Sequence, residues 1–179
     1  ILGPVEDYGE TNNMSTVLRI DFGQTSFLFT GDMESAVERD LVDSGADLSA
    51  TLLKVGHHGS DTSSSYVFLR EVMPRYAVIS VGKNNSYGHP GSETLSRLRD
   101  VGAEVFRTDE SGHVIAVSDG QDISITTENE RYQQKACEKS PHAFFVSSIP
   151  VPFFYLIPVL LRLVVIVKIV AIPLVVFVG

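Results

Sequence analysis

Three short stretches carry the residue types that hold ions or move protons. Asp32 closes "FLFTGD", His57 and His58 sit in "GHHGS", and His89 lies in "VGKNNSYGHPGS". Each follows an apolar run of strand length and contains a glycine. Sites in α/β proteins are built just beyond the C-terminal ends of strands. A carboxylate and imidazoles delivered by three separate strands can therefore meet on one edge. Carboxylate oxygen with neutral imidazole is a donor mixture suited to zinc or manganese. Imidazole binds only when unprotonated, so such a site fails in acid.

Each stretch also has a plainer reading. Asp32 alone would cap the helix that follows it, "GHHGS" alone would be a polar turn opening a helix, and His89 alone would be an ordinary loop residue. Neighbours on an extended segment point to opposite sides. One of His57 and His58 is thus expected to face the site while the other supports or flanks it, and which is which stays open. His113, in the turn "DESGHVIAV", stands outside the set.

The elements that must position these residues are legible as patterns. "STVLRIDFG" (15–23) alternates apolar and polar residues, and "TSFLFTGD" (25–32) pairs with it across a hairpin turn. A helix over 33–45 follows, with Ala36, Val37, Leu41 and Val42 at helical spacing and Gly45 as its stop. "ATLLKVG" (50–56) and "YAVISVG" (76–82) are buried strands, separated by a serine-started helix over 63–74 that closes before Pro74. A third helix (91–102) is capped by Ser92, with Leu95 and Leu98 inward. Three short strands and their "DESG" and "SDGQD" turns complete the region to 127. The order β-β-α-β-α-β-α-β-β-β predicts a layered α/β domain over 1–127.

Composition bounds the function. The chain has 179 residues, one cysteine and a net charge of −8, with the acidic excess in the first part. That disfavours a broad grip on phosphate backbones, though not a narrow site meeting phosphate through a metal ion. A lone Cys137 excludes an intramolecular disulfide and a multi-cysteine zinc site. The opening "ILGPVEDYGE" shows no signal peptide and reads as the middle of something longer. Residues 128–142 read as a polar linker. From Ala143 to Gly179 only Arg162 and Lys168 are charged. This hydrophobic tail is long enough for one membrane-spanning helix, which needs about 20 residues. Its prolines and two basic residues equally fit a segment foreign to the domain, such as one read from a shifted frame.

The runs "NNMSTVLRIDFGQTSFLFTGD", "LLKVGHHGSDTSSS" and "AVISVGKNNSYGHPGSETLSRLRDVGAEVFRTDESGHV" resemble the C-terminal half of a metallo-β-lactamase-fold domain, and more narrowly the soluble domain of the ComEC family of bacterial competence proteins, which take up DNA. The resemblance covers roughly residues 10–120. It implies a four-layer αββα sandwich with a metal site, usually of two ions, zinc or manganese. By position Asp32 matches the carboxylate that bridges the ions and orients the nucleophile, while His58 and His89 match the two later histidine ligands. His57 becomes a catalytic or substrate-facing neighbour, with the reverse assignment of the two histidines open. Ser60, Asn84, Asn85 and Tyr87 match loop positions that contact substrate. The early HxHxDH cluster of that fold does not occur here, so the missing N-terminal half is an expected partner and this chain alone is expected to be inactive.

The resemblance further implies a DNA strand as substrate, cut as a phosphodiester with Lewis-acid help from the metal. It places the parent protein at a bacterial cell membrane, with the domain on the outer side of the inner membrane. Two other readings stay alongside the nuclease: the same fold acting on a small ester or another phosphodiester, and a non-catalytic remnant that binds no metal. The fold name by itself implies no antibiotic chemistry.

Overall fold

The computed structural model describes residues 1–129 and the strand 167–169. The expected linker beyond Asn129 and the hydrophobic tail otherwise lie outside the described residues. Strands β1 (Leu18–Phe22) and β2 (Thr25–Phe29) form an antiparallel hairpin turned at Gly23, with Leu18 opposite Phe29. Helices α1 (Ser35–Asp43), α2 (Tyr66–Val72) and α3 (Ser92–Asp100) then alternate with β3 (Leu52–Lys54), β4 (Tyr76–Ile79) and β5 (Glu104–Arg107). Strands β2 to β5 are parallel and lie in chain order, giving one five-stranded sheet, β1-β2-β3-β4-β5. A short helix α4 (Thr108–Ser111) leads to β6 (Val114–Ser118) and β7 (Ile123–Thr127). These pair antiparallel, and β8 (Val167–Ile169) joins the free side of β6.

The side-chain alternation of strands divides the core in two. Leu28, Leu53, Ala77 and Ile79 face the helices and pack with Val37, Leu41, Phe68, Leu69, Val72 and Leu98. Phe27, Leu52, Tyr76 and Val78 face the other way, onto Val114, Ala116 and Ile123 of the small sheet. Burial on both faces explains why "LL" and "YAVI" are uninterrupted apolar runs. Each fully buried Phe, Leu or Ile contributes about 1.5–3 kcal/mol. Among the described residues the layers number three, helices on sheet on sheet. The fourth, outer helical layer of an αββα sandwich is not among them.

Two local expectations change. Helix α1 buries Val37, Glu38 and Leu41, while Ala36 is exposed; the helix phase is set by a carboxylate that the apolar count passes over. Ser92 is the first helical residue of α3 rather than its cap. Gly91 holds the cap position, and the acceptor comes from Asp61 in the preceding loop, whose Oδ1 takes the Thr94 N–H at 2.8 Å.

Candidate functional site

The C-terminal ends of β2, β3 and β4 deliver Asp32, His57–His58 and the 82–90 loop to one edge of the sheet, as parallel connectivity requires. Beyond β2, the chain turns at Gly31 (φ +55), where a Cβ would lie 2.6 Å from that of Ser15. The Ser15 hydroxyl accepts the Asp32 N–H at 2.9 Å, and the Gly31 carbonyl accepts the His57 N–H at 3.0 Å. Asp32 does not cap α1. The cap position belongs to Glu34, and Asp32 is left facing the histidines.

After β3 the chain does not stay extended. His57 (φ 45, ψ 46) and His58 (φ 52, ψ 22) are consecutive left-handed residues, a conformation that costs roughly 1–2 kcal/mol per non-glycine residue and clusters at functional sites. Both imidazoles therefore reach the pocket, on different partners. His58 Nδ1 lies 2.7 Å from the Ser80 carbonyl oxygen, which can only accept, so Nδ1 carries the proton and Nε2 keeps its lone pair. That Nε2 lies 3.6 Å from Asp32 Oδ1. His57 packs edge-on against the His89 ring, with centroids 5.7 Å apart. Its Nδ1 is buried without a hydrogen bond, although Glu34 Oε1 lies 3.3 Å away, out of line.

His89 sits on the loop after β4. Burial, and beyond that the charges of His57 and His58, push its pKa down. Asn85 shapes this loop: its Nδ2 donates to the carbonyls of His89 (2.7 Å) and Gly82 (3.2 Å), and its Oδ1 accepts the N–H groups of His89 (3.0 Å) and Tyr87 (3.2 Å). Both polar atoms of Asn85 are thus committed to its own loop. Ser60 is similarly inward, buried with its hydroxyl against Thr62 at 3.0 Å. In this structure both side chains bond within their own loops. Asn84 is exposed at φ 63. Tyr87 is 81% exposed and stacked beside His89.

Sequence reasoning passed over four residues here. Glu34 falls within the helical pattern and carries no site signal in the sequence. Lys54, whose Nζ donates to the Val55 carbonyl at 2.8 Å, has its pKa lowered to about 8 by burial, with Asp32 opposing the shift. Asp61 caps α3 and is felt electrostatically at His89. Glu38 accepts the Ser64 and Ser65 N–H groups, pinning the serine run to α1. A charged residue inside an apolar run, as in "LLKVG" and "AVERDLV", was the available signal for Lys54 and Glu38.

Among the described residues, no group of three or more His, Cys, Asp or Glu side chains closes on one point as a complete coordination sphere would. The pair does fit in part. Two ligands of one tetrahedral ion with bonds near 2.0–2.1 Å stand about 3.3 Å apart. The Asp32–His58 gap of 3.6 Å matches that spacing better than a hydrogen bond. The Nδ1–H to carbonyl contact of His58 is also the usual outer support of a metal-binding histidine.

No family model matches the chain. Among curated proteins it is 38% identical over 115 residues to ComE operon protein 3 of Bacillus subtilis (strain 168), covering 64% of this chain and 15% of that protein. It is 45% identical over 104 residues to competence protein ComA of Neisseria gonorrhoeae, covering 58% and 15%, and 37% identical over 103 residues to recombination protein 2 of Haemophilus influenzae, covering 58% and 13%. The chain is similar to a segment of bacterial competence proteins. It spans about one-seventh of the length of these relatives. No helix among the described residues is long and apolar enough to cross a membrane.

Proposed function

We propose that this chain is part of a metal-dependent phosphodiesterase domain, of the metallo-β-lactamase fold, that acts on DNA within a competence-type uptake protein at the bacterial membrane. The observation that carries the reading is the Asp32–His58 pair, with His57 and His89 beside it, at the shared C-terminal edge of three parallel strands. Asp32 and His58 would hold a divalent ion, zinc or manganese, with His89 as a neighbouring ligand. Further ligands, and those for a second ion, would come from the N-terminal half of the domain. When bound, the metal supplies Lewis acidity toward water and phosphate.

The chain's own residues do the rest. Ser80 fixes the His58 tautomer, and the Gly31–Asp32 turn holds the carboxylate. His57 Nδ1 lies 3.3 Å from Glu34 Oε1, so a small turn of the ring would tie Nδ1–H to that carboxylate and leave Nε2 as an acceptor. The similarity to competence proteins supports DNA as the substrate. The net charge of −8 favours a second reading, a small phosphodiester, because nothing acidic attracts a long polyanion.

Metal analysis separates these readings from a non-catalytic remnant. It is made on this chain and on a protein extended upstream to include an HxHxDH segment. The expected result is about two ions per extended protein, lost in Asp32→Ala and His58→Ala, together with manganese-dependent cleavage of single-stranded DNA. No metal in either protein overturns the hydrolase reading.

A further inference from the structure

The 82–90 loop presents a surface that the phosphodiesterase chemistry does not use. Tyr87, on this loop beside the site, is a large side chain with 81% of its surface open. This exposed side chain has an aromatic neighbour. Its ring lies nearly parallel to that of His89, at 16° with centroids 5.8 Å apart, and His89 in turn packs edge-on against His57. The backbone beneath is fixed by the Asn85 amide, which accepts the N–H of Tyr87 as well as that of His89. The ring lies beside His89 rather than on it, 81% exposed, with its outer face open. It stands next to the residues that would meet a scissile phosphate, and exposed Lys83 is on the same loop.

A flat aromatic face selects for a π-face, which every base has, rather than for a sequence. Nucleobases supply such faces only when unpaired, because a duplex buries them between neighbours. We propose that the outer face of Tyr87 is a stacking platform for one unpaired nucleobase, which makes this loop the element that admits single strands or frayed ends and refuses intact duplex. The proposal rests on the nucleic-acid reading above and names the strand form that the site takes. Tyr87 is a specificity residue here, with Lys83 meeting the adjoining phosphate.

The chain contains no tryptophan, so Tyr87→Trp places a single indole on the platform. Titrations of the full chain are made in chelator at low ionic strength, with a short oligothymidylate, an abasic oligomer of equal length and a blunt hairpin duplex. Expected is quenching of the indole by oligothymidylate and by neither of the others. In anisotropy titrations Tyr87→Ala is expected to weaken oligothymidylate binding by roughly 5- to 100-fold while leaving the abasic oligomer unchanged, and Tyr87→Phe is expected to bind as wild type. Lys83→Ala should weaken all the oligomers alike. Equal binding by Tyr87→Ala and wild type, equal loss on the abasic oligomer, or absence of quenching overturns the platform. Metal and hydrolysis do not enter these readouts. Absence of metal and of cleavage in the extended protein, with quenching intact in this chain, would therefore remove the hydrolase reading alone.

Discussion

At His58 two constraints meet in one ring. Its backbone is held left-handed, and its Nδ1 is tied to the Ser80 carbonyl, so that the Nε2 lone pair faces Asp32. Replacing His58 by Gln keeps a polar side chain but not the aimed lone pair, and metal affinity of the extended protein should fall at least 10- to 100-fold, as for lost outer support, by competition with a chelating dye. His89 gives a second prediction, from burial and the two neighbouring imidazoles, which hold its pKa below the ordinary 6.5. On acidification the unfolded state takes up this proton first. The stability His89 contributes is therefore present above about 6.5 and lost as pH falls through the lower folded value. Thermal melts in chelator should show a Tm that declines below that point, and His89→Gln should flatten the decline.

Helix ends decide how the site loops are held. Glu38 reaches from α1 to the Ser64 and Ser65 N–H groups at the start of α2, in a position where burial raises its pKa. Glu38→Ala leaves one buried and one part-buried donor unpaired, at about 1–3 kcal/mol for the buried one, and the urea midpoint should fall by an amount matching a loss of roughly 2–4 kcal/mol. At the far end of α2, Met73 closes the helix at φ 45 with its side chain 62% exposed. Met73→Gly removes that strain without emptying the core and should stabilise by about 1 kcal/mol in the same assay. The elements themselves were readable from periodicity, because the central parallel strands β3 and β4 are buried on both faces and each helix is stopped by Gly or Pro. The side-chain caps were not. Asp61 reaches Thr94 over 33 residues and Glu38 reaches Ser65 over 27, distances on which local pattern is silent. The left-handed turn at His57–His58 was likewise hidden, since neither histidine is a residue that favours it as glycine does.

Across the molecule, charge and site chemistry pull in different directions. The net charge is −8, yet the pocket edge gathers three imidazoles and the partly buried Lys54 around one exposed carboxylate. Without metal, oligonucleotide binding should be weak, with a shallow salt dependence. A log–log slope near about −1 is expected if one lysine meets phosphate. Titration over a range of potassium chloride checks this, and a slope several times steeper would point to a basic tract outside the described residues. That Asp32, His58 and His89 belong together could be read from three strand ends in sequence. The division of labour inside the 82–90 loop could not, because Asn85 and Tyr87 look alike as polar loop residues until their contacts are known.

The loop hangs on the chemistry of one amide, that of Asn85. Its amide nitrogen faces two carbonyl oxygens, and the next residue, Ser86, is small. Hydrolysis of that amide would turn the donor into a carboxylate oxygen set against both carbonyls. The same four hydrogen bonds that stiffen the loop would then be split into two retained and two repelling, and an aged sample would lose its ordered Tyr87–His89 pair before it lost its fold.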